Sequence, residues 1–155
     1  MPVHNQFVLD KRGRLSLLGL RLAGAAISVE IAVPSVLAQR LAERGEPVPA
    51  PRVGQALIDT GASLTAVDED ALKALGLQPT GRIRLATPSQ ADGPASIYPV
   101  RMSFPQTAIS MARDGLSVAG VILRHQGYVA LLGRNLLARA VFTYNGPGGF
   151  FTVAF

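Results

Sequence analysis

Few groups in this chain could do chemistry, and one stands apart. An apolar run, Ala56-Leu57-Ile58, delivers Asp59 into Thr60-Gly61, with Ala62-Ser63 behind. A strand is a rigid mount, which a reacting carboxylate requires. Gly61 has no Cβ, so backbone amides and a partner can approach the acid. The Thr60 hydroxyl can lock the turn by a hydrogen bond. Asp, Thr and Gly also end many ordinary strands, so the tripeptide alone is a weak signal. Entry from A-L-I and exit into A-S strengthen it.

The rest of the inventory narrows the chemistry. There is no cysteine, which excludes disulfides, thiol catalysis and thiolate metal sites. His4 and His125 are the two histidines, too few for a zinc site with several imidazoles in one chain. Neither has a motif serine beside it for a triad, and both read as surface residues. No metal and no cofactor is expected. Asp92-Gly93 and Asp114-Gly115 lack the strand entry and the threonine, and read as turns.

The formal charge is +5, but the arginines are scattered. The one tight cluster, Lys11-Arg12-Gly13-Arg14, has no interleaved aromatic residue on which a base could stack. The expectation is a solvated basic face and no nucleic-acid partner. The most apolar stretch, 15–33, contains Arg21, Glu30 and glycines, too polar and broken for a membrane span. No secretory pattern stands in residues 1–10, so a cytoplasmic address is expected.

Elements must position these groups. A chain of 155 residues with 48% apolar content suits one domain with a real core. Sixteen glycines and eleven prolines favour short strands and turns over long helices. Residues 1–14 read as a tail and 15–155 as a single domain. Strands are expected at 15–22, 25–33, 53–58, 83–86, 97–103, 108–111, 117–123, 128–132, 141–144 and 150–155. Alternation is clearest at Ile27, Val29, Ile31 and Val33, a period-two face. Three short helices are expected, at about 35–44, 69–75 and 134–139; Asp68 would cap the second and Gly76 stop it. The fold class is therefore mainly β with three short helices.

A second segment gives the first its context. Ala130-Leu131-Leu132-Gly133-Arg134-Asn135-Leu136-Leu137 reads as a strand, a glycine turn and an amphipathic helix. D-T-G followed at this distance by L-L-G-R-N-L-L resembles the retropepsins, the single-lobe aspartic peptidases, over roughly residues 27–144. The resemblance implies an acid-protease β-barrel lobe that dimerises, with Asp59, Thr60 and Gly61 as the catalytic triplet at the dimer axis. It implies that Leu132 and Gly133 back the Asp59 loop, while Arg134 and Asn135 open the supporting helix. It further implies a flap, the hairpin 83–103. Its tip residues Thr87, Pro88, Ser89, Gln90, Ala91, Asp92 and Gly93, with Ala62 and Ser63, would line the substrate site. The partners implied are a second copy of the chain and a peptide or protein substrate in extended conformation, held as an added strand.

Only one D-T-G occurs, so a two-carboxylate site needs a second copy. Three features depart from the viral pattern. Ser63 stands where an acidic residue usually pairs with the helix arginine, so Arg134 needs another partner. Residues 34–52 look like an insertion. The C-terminus forms a full hairpin, so dimerisation by interleaved chain ends does not follow. The alternative reading is a catalytically inactive peptide-binding or dimerisation module of the same fold.

Overall fold

A computed structural model describes residues 1–87, 90–123 and 125–155, with the side chains of 86–92 also outside the description. The elements, in order, are β1 (Val3–Phe7), α1 (Leu17–Ala23), β2 (Ala26–Ala32), α2 (Ser35–Glu43), β3 (Arg52–Ile58), β4 (Ala66–Asp68) and α3 (Glu69–Ala74). Then come β5 (Gly81–Thr87), β6 (Gln90–Ser103), β7 (Arg113–Val121), β8 (Ala130–Leu132), α4 (Arg134–Leu137), β9 (Val141–Asn145) and β10 (Phe150–Ala154).

The main sheet runs β2-β3-β8-β4-β7-β6-β5. A further antiparallel pairing, Glu30 with Ser103 through Ala32 with Arg101, joins β2 to β6. That pairing closes the sheet into a barrel, which leaves β5, among the described residues, as the arm outside the ring and removes most exposed edges. The period-two face of β2 explains the closure: Ile27, Val29 and Ile31 are fully buried inside the ring, where they meet Ala56, Val100, Met102, Val118, Ala130 and Leu132. A smaller sheet, β1-β10-β9, adds Phe151 and Val153 to the same core.

Three local expectations are corrected. Residues 15–22 form α1 and not a strand. The Ser16 hydroxyl accepts from the Gly19 amide at 2.9 Å, an N-cap that commits the segment to a helix, and Gly24 at φ 67 ends it. The described residues therefore hold four helices, one more than expected. Residues 1–14 are not a loose tail, because β1 pairs with β10 from Val3–Ala154 to Phe7–Phe150. Asp10 then orders the next turn by accepting from the Arg12 and Arg14 amides, and Leu9 bridges to Leu15. The Arg14 amide, chief among these contacts, holds the Asp10 carboxyl below its ordinary range. Residues 108–111 are irregular, since the Thr107 hydroxyl donates to Phe104 O and accepts from the Ile109 amide. Such local side-chain bonds compete with a strand ladder.

The β5–β6 hairpin is longer than its sequence suggested. Pairing extends from Gly81–Ile97 out to Thr87–Gln90, and Pro94 lies opposite Arg84 within the ladder. Pro88 and Ser89 lie outside the described residues.

Candidate active site

Two chain crossings build the site. In the first, β3 and β8 run parallel with Ile58 opposite Leu132, and the Asp59 amide donates to Leu132 O at 3.0 Å. The apolar ends of two buried strands thus fix the backbone from which the carboxylate projects. Asp59 itself is half-buried, at the point where the strand gives way to the exposed Thr60 and Gly61.

The turn then folds back on its own acid. The amides of Gly61 and Ala62 donate to Asp59 Oδ1 at 2.9 and 3.2 Å. These two donors set the carboxylate's orientation without help from any distant side chain. A Cβ at position 61 would come within 3.2 Å of Oδ1, tight enough to disturb that cradle.

The second crossing comes from the L-L-G-R-N segment. A Cβ at Gly133 would overlap the Leu64 carbonyl group and lie 2.6 Å from the Thr65 nitrogen. Only glycine lets the two loops touch backbone to backbone. Past that contact, the Arg134 amide donates to Ala62 O at 2.9 Å and the Asn135 amide to Ser63 O at 3.2 Å. The first turn of α4, whose amides have no partner within the helix, is satisfied by the Asp59 loop.

Arg134 finds the partner that Ser63 cannot be. Its Nη1 donates to the carbonyls of Thr60 and Gly61 at 2.9 and 2.8 Å. One guanidinium nitrogen therefore clamps the turn from outside, in the place where an ion pair was absent from the sequence. Asn135 works from the other side. Its Oδ1 accepts from the Thr65 amide and hydroxyl, both at 2.8 Å, and its Nδ2 donates to Ser117 O at 2.9 Å, tying α4 to β7.

Sequence reasoning missed Thr65. It is fully buried, and its hydroxyl accepts from the Gly133 amide at 3.1 Å while donating to Asn135. Its carbonyl accepts from Ala119. One residue thus joins the Asp59 loop, the glycine turn, α4 and β7. A short threonine six positions after an aspartate carries no sequence pattern that would have exposed this role.

Asp59, Thr60, Gly61, Ala62, Ser63, Leu132, Gly133, Arg134 and Asn135 are thus brought into one bonded cluster. The residues Thr87, Gln90, Ala91, Asp92 and Gly93 are placed differently, along the end of the β5–β6 hairpin. Among the described residues, no hydrogen bond links that hairpin to the Asp59 loop. The described residues contain no cluster of three metal-ligating side chains.

The site is thus a carboxylate at the end of a barrel strand, cradled by its own turn and backed by a glycine crossing and a helix. A family model described as "gag-polyprotein putative aspartyl protease" matches residues 52–139, from the start of β3 to just past α4. The chain belongs to this family of retropepsin-like aspartyl proteases. No curated protein matches the sequence. Among solved structures, the fold is similar to that of a retropepsin-like aspartic protease from Rickettsia conorii, with a TM-score of 0.49 and 15% identity over 97% of this chain and 90% of that one.

Proposed function

We propose that this protein is an aspartic endopeptidase whose active site is completed by a second copy, so that two Asp59 carboxylates, one from each protomer, activate a water. The observation that carries this reading is the built half-site. Asp59 is oriented by the Gly61 and Ala62 amides, while Thr60 and Gly61 lie exposed beside it.

Two carboxylates in contact cannot both ionise, and they hold one proton between them. The pair titrates as a unit. The ionised member removes a proton from a water lying between them, and the oxygen attacks the scissile carbonyl carbon. The protonated member donates to the carbonyl oxygen as it gains charge, giving a tetrahedral diol. Collapse of the diol breaks the C–N bond: the protonated carboxyl gives its proton to the leaving nitrogen, and the ionised one takes a proton from a diol hydroxyl, which restores the shared proton. This is general acid–base catalysis by one pair acting in both directions. The Asp59 loop has to be rigid for such a step, and the Arg134 and Thr65 bonds supply that rigidity.

The substrate is an extended peptide, paired through its main chain as an added strand. The β5–β6 hairpin serves as the cover, and Ala62 and Ser63 form the floor. The test of the activity is Asp59→Asn, which keeps shape but cannot serve as base. Cleavage of a denatured protein such as casein should vanish while circular dichroism and melting stay unchanged. Wild-type cleavage by Asp59→Asn would remove Asp59 from the mechanism. A folded wild type that binds peptides without cutting them would favour the non-catalytic module.

A further inference from the structure

We infer that the exposed leucine face of α1 is the surface on which a second copy of this chain docks. The inference rests on the two-carboxylate reading, because a site made of one Asp59 is incomplete without that copy. It adds where the copy sits.

Helix α1 buries little of what it carries. Leu20 is its buried residue, while Leu18 and Leu22 are 59% and 75% exposed and Leu15 and Leu17 are also exposed. Leu18 and Leu22 are four apart and share a helix face; Leu15 lies outside the helix, just before its Ser16 cap. A single exposed leucine needs no explanation, but a row of them on one short helix marks an association surface.

The position of the row selects the occupant. The Ile58 amide donates to Ala25 O at 2.9 Å, and the Leu57 side chain lies against Gly24 so closely that a Cβ there would meet Leu57 Cδ1 at 2.6 Å. The C-terminal end of α1 therefore abuts the end of the strand that presents Asp59. A copy bringing its own Asp59 to this one approaches beside α1.

Charge and area point the same way. Two copies, each at +5, repel one another, so association favours a surface poor in cations. Residues 15–25 contain Arg21 and no other charged group. By contrast, the exposed Val36 of α2 stands on a helix that also carries Arg40 and Glu43. A stable pair hides roughly 800 Å² on each partner, more than a two-residue turn offers, and the exposed leucines of α1 add apolar surface.

The test uses two kinds of variant on the full chain. Leu18→Glu combined with Leu22→Glu alters exposed positions only, and sedimentation equilibrium should show the dimer dissociation constant raised at least about 100-fold with the circular dichroism spectrum unchanged. Because the chain has no cysteine, Leu22→Cys gives a unique thiol. Its reaction with a maleimide should slow as concentration rises through dimer formation, whereas Val36→Cys should react at one rate throughout. A double variant that dimerises like wild type would overturn the proposal, as would a Leu22→Cys thiol equally reactive in monomer and dimer. A wild type that cleaves as a monomer would overturn both this surface and the two-carboxylate reading. Loss of dimer in the double variant of a protein that never cleaves would uphold the surface and refute the peptidase.

Discussion

The bonds that matter most at Asp59 are made by its neighbours. Thr65 tests this. Its hydroxyl accepts from the buried Gly133 amide and donates to Asn135, and Thr65→Val keeps the shape while orphaning the Gly133 amide and leaving Asn135 Oδ1 with the Thr65 amide alone. A buried donor left unpaired costs about 1–3 kcal/mol. Urea unfolding should lose that much stability, and activity should fall with it because the two loops no longer hold register. Arg134 should behave differently. It is exposed and clamps two carbonyls of the turn, so Arg134→Met should cost little stability. It should nonetheless lower kcat/KM at least about tenfold, equivalent to about 1.4 kcal/mol of misplacement in the transition state. Equal activity with an unchanged melting curve would show that the turn keeps its shape without the clamp. The contrast also shows what a sequence can carry at this scale. Asp59 and Gly133 stood out in the sequence because A-L-I-D-T-G and L-L-G-R-N-L-L follow one another in order. Thr65 was not, since its partner Asn135 lies 70 residues away. The acceptors of Arg134 were equally hidden, because a backbone carbonyl has no residue type.

Among the elements, β2, β3, α2, α3 and the β9–β10 hairpin were readable because periodicity and stop signals agreed. The segment before β2 was not. Leu15, Leu17, Leu18, Leu20 and Leu22 satisfy an alternating pattern and a helical one nearly equally, and only the Ser16 cap decides. Helix α2 poses a different problem. Its N-cap position is Pro34, without a side-chain bond, and the missing acceptor arrives from β7: the Ser35 amide donates to Asp114 Oδ1 at 3.0 Å. That amide, more than the nearby Arg101, holds the Asp114 carboxyl below its ordinary 3.8, against an opposing effect of burial. A carboxylate at a helix N-terminus also meets the positive end of the helix dipole. The sign follows from linkage. A carboxyl whose folded value is depressed adds stability that is complete above the unfolded value and is lost as pH falls through the folded one. Hydrogen-exchange protection across Ser35–Glu43 should therefore drop as pH falls from about 5 to well below 3.8. In Asp114→Ala it should be low at both ends of that range. Protection in the variant matching wild type at the higher pH would mean that Asp114 does not anchor α2.

For the whole molecule, the barrel closed by β2 and β6 carries one Asp59, whereas the proposed two-carboxylate site needs a second. The fold accounts for the asymmetry. Everything that positions Asp59 comes from within the chain, and Thr60 and Gly61 lie exposed beside it. The basic charge and the leucine row of α1 bear on how the other half is brought in. No helix among the described residues is long and apolar enough to cross a membrane.

The central claim is that one active site contains two copies of Asp59, and subunit mixing tests it most directly. Wild-type and Asp59→Asn chains are unfolded together in equal amounts, refolded, and assayed on one peptide at fixed total concentration. Random pairing in a two-fold dimer leaves about a quarter of the pairs with both carboxylates, so activity should fall to about a quarter of the all-wild-type value. A plot against wild-type fraction should follow its square. Activity in direct proportion to the wild-type fraction would mean that each chain works with its own Asp59 alone, and would contradict the account.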